Sequence, residues 1–170
     1  EGLDLRIGSE DLAEIIITGG VKDLLDLEGI NLNVKARGKD SAKLAKLGIP
    51  ALPRQSAYQL SASIAEVEPR VFAANDLKLV LAENEVSGQM QLSLAQQIPL
   101  LTANLTSQKF ELGPFNLDLK LSGPLDKPAI KEIDLQLGTP ELAKIHLNGS
   151  VADLKKLDGV DLNFEAHGNN

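Results

Sequence analysis

Histidine is the side chain best suited to proton transfer and metal ligation near neutral pH, and the 170-residue chain holds two, His146 and His167. A catalytic imidazole needs a nucleophile or an acid–base partner within hydrogen-bond reach and a third group to orient it. Neither histidine stands in a motif that supplies them: His146 lies between Ile145 and Leu147, and His167 between Ala166 and Gly168. Short oxygen-bearing side chains recur in pairs, as Asn31 with Asn33, Asn116 with Asp118, and Asp161 with Asn163. Calcium takes about six to eight oxygens from a folded loop with several carboxylates, so these pairs read as water-facing strand residues. The glycines lack the strand-to-helix setting and spacing of a phosphate cradle. With no cysteine there is neither a disulfide framework nor a thiolate metal site. The expectation is a protein without catalytic residues, metal or cofactor.

The elements carrying these residues alternate apolar and polar positions, the period of a strand with one greasy and one wet face. Leu3, Leu5 and Ile7 point one way and Asp4 and Arg6 the other. The same pattern gives Ile15 and Ile17; Ile30 to Ala36; Tyr58 to Ile64; Leu77 to Leu81; Val86 to Leu94; Leu101 to Leu105; Phe115 to Leu121; Ile133 to Leu137; Ile145 and Leu147; and Val160 to Ala166. That is about ten or eleven strands in series. One-sided alternation predicts an antiparallel meander, because parallel strands buried on both faces read as unbroken apolar runs. One helix is expected, capped by Asp40 or Ser41, with Leu44 and Leu47 as its stripe and Gly48 as its stop before the extended run 49–53. The connectors 21–29 and 151–159 are expected to hold one helical turn each. Thr139-Pro-Glu141 reads as either a helix start or a hairpin turn.

The chain repeats itself. Residues 1–38 align without a gap on residues 131–168, and sixteen of the 38 positions are identical, among them Gly8/Gly138, Gly19/Gly149, Leu27/Leu157 and Gly29/Gly159. A partial echo lies at 113–123, where Phe115-Asn-Leu-Asp-Leu-Lys-Leu-Ser-Gly123 matches residues 30–38 and 160–168. Such repetition marks an architecture that grows by adding units. The two copies are expected to share one strand-turn-strand-connector-strand unit, and Gly29 and Gly159 a positive φ. The start at Glu1 and the stop just after the second copy suggest that 1–170 is a single β-rich segment of a longer protein.

Hydrophobic residues make up 43% of the chain but aromatics only 3%, so the apolar surface is aliphatic. The net charge of −7 argues against a nucleic-acid partner, which would draw Lys and Arg to its phosphates. No run approaches the roughly 18 apolar residues that span a bilayer.

The face formed by Leu5, Ile7, Ile15, Ile17, Leu32, Val34, Leu60, Leu79, Leu92, Leu117, Leu119, Leu135, Ile145, Leu162 and Phe164 then admits two readings. It is the core of a sheet that closes on itself or lies under the helix, as in a non-catalytic structural or interaction module of the cell envelope. Alternatively it lines an open groove or half-barrel that holds hydrocarbon.

The order of motifs in the middle of the chain favours the second. Asp40-Ser-Ala-Lys-Leu-Ala-Lys-Leu-Gly-Ile-Pro-Ala-Leu-Pro53 is followed by Tyr58-Gln-Leu-Ser-Ala-Ser63, Leu77-Lys-Leu-Val-Leu81, Val86-Ser-Gly-Gln-Met-Gln-Leu92 and Pro99-Leu-Leu-Thr-Ala-Asn-Leu105. This series resembles the AsmA family of Gram-negative envelope proteins. The resemblance implies a periplasmic segment of a bridge-like lipid carrier, anchored in the inner membrane through a part absent here, that moves phospholipid and serves outer-membrane biogenesis. It implies a phospholipid or other acyl-chain lipid as partner, and no catalytic residues. Finally, the first and last strands carry few of the lysines, prolines or bulges that blunt a sheet edge, so edge-to-edge self-association is expected.

Overall fold

The computed structural model describes residues 2–9, 11, 13–23, 25–43, 56–109, 113–124, 126–139 and 143–168. They form one sheet of eleven antiparallel strands, each hydrogen-bonded to its neighbours in sequence order. The strands are β1 (Gly2–Ser9), β2 (Ala13–Gly20), β3 (Asn31–Gly38), β4 (Tyr58–Glu68), β5 (Val71–Leu81), β6 (Asn84–Ser93), β7 (Leu100–Lys109), β8 (Phe115–Ser122), β9 (Ala129–Thr139), β10 (Ala143–Asp153) and β11 (Asp158–Gly168). The sheet is curled but open, with β1 and β11 as its two edges. Closure into a barrel, the condition for an enclosed core, does not occur.

Strand pairing fixes which side chains share a face, because directly opposed residues point the same way. One row crosses every strand: Leu3, Gly19, Leu32, Ile64, Ala74, Met90, Ala103, Leu119, Ile133, Gly149 and Leu162. No member carries a charge or a hydrogen-bonding side chain. Irregularities preserve this sidedness. Between β5 and β6 the three steps from Ala74 to Leu77 oppose only two steps, from Met90 to Gly88. Asp76 absorbs the extra step with φ 51°, so Ala74 and Leu77 stay on the apolar side. Such bulges also sharpen the local twist.

The repeat is structural. β1–β3 and β9–β11 are each three consecutive antiparallel strands with a connector between the second and third, and their special backbone positions coincide. Gly29 and Gly159 have φ of 63° and 60°, Gly8 and Gly138 80° and 89°, and Gly19 and Gly149 135° and 142°. Gly88 in β6 adopts φ 155° and abuts the Asn104 carbonyl, as Gly19 abuts that of Asn31 and Gly149 that of Asp161. Each sits in a hydrophobic-x-Gly-x-hydrophobic run, Ile17 to Val21, Val86 to Met90 and Leu147 to Val151. The glycines thus recur every fourth strand, a finer periodicity than the pair of long repeats.

The connectors differ from expectation. Each is a hydrogen-bonded turn rather than a helix: Asp23 Oδ1 accepts from the Leu25 and Asp26 amides at 2.8 and 3.1 Å, and Asp153 Oδ1 from those of Lys155 and Lys156 at 3.0 and 3.1 Å. A carboxylate that satisfies two successive amides stabilises a single tight turn. β9 and β10 pair antiparallel with Thr139 opposite Ala143, and Pro140 and Glu141 lie outside the described residues. Of the predicted helix, Asp40 caps one 3₁₀ turn at 41–43 by accepting from the Ala42 amide at 2.9 Å. Leu44, Leu47, Gly48 and the extended run 49–53 lie outside the described residues.

No conventional core forms among the described residues. The buried hydrophobic residues are Ala13, Tyr58, Val71, Ala103, Ala129 and Val151, with no Leu, Ile or Phe among them. The accessible surface is 11386 Å², against about 8,100 Å² for a compact globule of the same 18.2 kDa mass. The excess fits a chain whose described residues form a single layer rather than a compact globule.

Candidate functional site: the aliphatic face

All fifteen residues read from the sequence as one apolar face share that face in the sheet. Leu5, Ile17 and Val34 are cross-strand neighbours, as are Ile7 and Ile15. Leu60 opposes Leu79, and Leu92 opposes both Phe72 and Leu101. Leu117 opposes Leu135, which faces Leu147 and through it Phe164. Leu32, Leu119 and Leu162 belong to the row that crosses all strands, and Ile145 pairs with Leu137 and Ala166. Leu3, Ile64, Ala74, Met90, Ala103 and Ile133 belong to this row as well, although they are not among the fifteen. Leu3, Ile64, Met90, Ala103 and Ile133 stand in the alternating runs of the sequence, whereas Ala74 lies outside the run Leu77 to Leu81 and joins the face only through the register.

The row runs along the hydrogen-bonding direction, perpendicular to the strands. Ten inter-strand steps of about 4.8 Å make it roughly 48 Å long, and twist of about 20–25° per step winds it through on the order of 200°. Flanking rows widen it into a ribbon. Among the described residues no helix or second sheet lies over it. Exposure is greatest toward the ends, where Leu5 is 40% and Phe164 64% exposed, and falls to half-buried in β3 through β9 where neighbouring side chains shield one another.

The opposite face is polar. Behind the apolar row run Asn33, Ser63 and Asn75, then Gln89, Asn104, Asp118, Asp134, Asn148 and Asn163 in register. Ser63 Oγ donates to Asn33 Oδ1 at 3.1 Å, and Asn104 Nδ2 donates to Asp118. Two shallow depressions of about 520 and 420 Å³ lie on this face, the larger beside Gln89, Asn104, Asp118, Glu132 and Asp134. A twisted sheet is saddle-shaped, hollow along one diagonal on each side, so a wet-face depression is compatible with an apolar trough behind it.

The histidines fall on the wet side, as their alternation requires. His146 Nε2 lies 3.2 Å from Asp134 Oδ1, so it is paired with a carboxylate across β9 and β10 rather than simply solvated. His167 is exposed, 4.0 Å from Glu165. The pairs Asn31/Asn33, Asn116/Asp118 and Asp161/Asn163 lie on separate strands, β3, β8 and β11. No group of three or more His, Asp or Glu residues able to hold a metal ion occurs among the described residues.

No helix among the described residues is long and apolar enough to cross a membrane. Comparison of the chain with protein families, with curated proteins and with solved structures finds no match in any of the three.

Proposed function

We propose that the aliphatic ribbon binds the acyl chains of phospholipid or a similar lipid, as a segment of a bridge-like carrier of the periplasm that serves outer-membrane biogenesis. The observation that carries this reading is the apolar row that crosses all eleven strands on a face left open by the described residues. Burying a methylene stabilises by about 0.8 kcal/mol. A dozen carbons half-covered by the trough would gain about 5 kcal/mol, enough to compete with the cost of ordering a flexible chain.

The composition supports sliding over fixed binding. The face has few aromatics to grip a chain, and no hydrogen-bonding side chain interrupts the continuous row to hold a headgroup in one place. Lipid held only by dispersion and exclusion of water can move along the ribbon without a deep minimum. The carrier role, periplasmic location and membrane anchor rest on the resemblance to the AsmA family.

The test is direct. Protein purified from a bacterial host without detergent is extracted with organic solvent, and the extract is quantified by mass spectrometry. Stoichiometric phospholipid supports the reading, whereas a lipid-free extract together with failure to take up lipid from vesicles overturns it.

A further inference from the structure

The two sheet edges are not equivalent. All residues of β1 and β11 are exposed, and each edge presents unpaired backbone groups that another strand can complete. The wet face of β1 carries Asp4 and Arg6, opposite Thr18 and Ile16 of β2, and neither makes an ion pair among the described residues. The carboxylate of β2, Glu14, is engaged by Arg37 of β3. Two opposite charges on one edge strand therefore stand free.

We infer that a second copy of this chain pairs antiparallel with β1 about a two-fold axis normal to the sheet, with Leu5 opposite its own counterpart and Asp4 opposite the partner's Arg6. Symmetry leaves few choices. An isologous contact must be self-complementary, and directly opposed residues must share a face, so the axis passes beside a residue of β1 rather than between two. Centring it on Leu5 overlaps residues 2–8, sets Leu3 against the partner's Ile7, and makes two reciprocal Asp4–Arg6 pairs. Centring it on Arg6 would set two guanidinium groups against each other. On β11 the register of greatest overlap centres on Asn163 and opposes Asp161 to the partner's Glu165 twice, a like-charge arrangement that destabilises a cross-strand pair. β11 carries Asp158, Asp161 and Glu165 but no Lys or Arg, so reciprocal carboxylate–guanidinium pairs can form only across β1. The product is a sheet of twice as many strands in which the apolar ribbon runs unbroken across the axis, and the inference does not depend on what that ribbon binds.

Sedimentation equilibrium of the full chain at low ionic strength should show a reversible dimer that weakens as salt screens the pairs. Asp4→Lys and Arg6→Glu, each leaving the circular dichroism spectrum unchanged, should each raise the dissociation constant by about tenfold or more. The double variant Asp4→Lys/Arg6→Glu restores opposite charges and should regain the dimer. Because the chain has no cysteine, Leu5→Cys can bridge only to itself, and opposed Cα atoms about 4.5–5.5 Å apart suit a disulfide. It should cross-link under mild oxidation faster than Asn163→Cys, the self-opposed position of the β11 register. A strict monomer, single variants that dimerise normally, a double variant that fails to recover, or preferential cross-linking through residue 163 would each overturn the inference.

Discussion

Leu27 and Leu157 stand 130 positions apart and hold the same left-handed backbone, with φ of 57° and 53°. Each closes a connector that an aspartate, Asp23 or Asp153, opens by accepting two backbone amides. Each is followed two residues later by a left-handed glycine, Gly29 or Gly159. A leucine in this region costs about 1–2 kcal/mol, and its recurrence in both copies shows that the turn, not the residue, is what the repeat preserves.

That strain is removable. Leu157 is 70% exposed, so Leu157→Gly sacrifices little apolar burial while relieving the left-handed penalty. After the larger entropy of the unfolded glycine chain is subtracted, a net gain of about 0.5–1 kcal/mol is expected. It is read as a higher urea midpoint at constant slope. Leu27→Gly should shift the midpoint the same way but less, since Leu27 is 40% exposed and loses more contact.

The fourth-strand glycines predict the opposite. A Cβ on Gly149 would collide with the Asp161 carbonyl, and φ 142° is itself unfavourable for any other residue. Gly149→Ala should lose about 1–3 kcal/mol and loosen the β10–β11 pairing, seen as faster amide exchange in those strands. Gly2→Ala, with nothing within 4 Å of the new methyl, serves as the neutral control.

An acidic probe separates an open ribbon from a packed interior. Leu119→Asp, in the middle of the row that crosses every strand, should leave the fold intact because its carboxylate remains in reach of water. It should also deplete co-purified lipid and the uptake of a lipophilic dye. Leu79→Asp should do the same at a second place on the face. A loss of several kcal/mol of stability in either variant, the cost of an enclosed charge, would argue for a covered core instead.

Tyr58 sets an alkaline limit. The residue is 4% exposed, its ring packs over Gly38, and burial pushes the phenol above its ordinary value of 10.0. The unfolded chain therefore ionises first. The stabilisation is whole below pH 10 and is lost as pH rises toward the folded value. Stability measured from pH 8 to 12 should fall from about pH 10, and Tyr58→Phe should remove that component.

Much of this was legible in the chain because it is local. Period-two alternation specifies where strands lie and which side is greasy, so all eleven strands and the shared face of Leu5 through Phe164 follow from pattern alone. The identity of Gly29 with Gly159 predicts a common turn, and both adopt it. What alternation cannot specify is the relation between distant edges. Whether β1 meets β11 depends on twist summed over ten pairings, and on bulges such as Asp76, where one extra residue keeps Ala74 and Leu77 on the same side. The four-strand recurrence of Gly19, Gly88 and Gly149 was equally hidden, since their spacing in sequence varies and only the strand order aligns them. The sequence determined a sheet with one aliphatic face; the tertiary structure decided that the sheet stays open, because closure is a sum of long-range geometry that no local pattern contains.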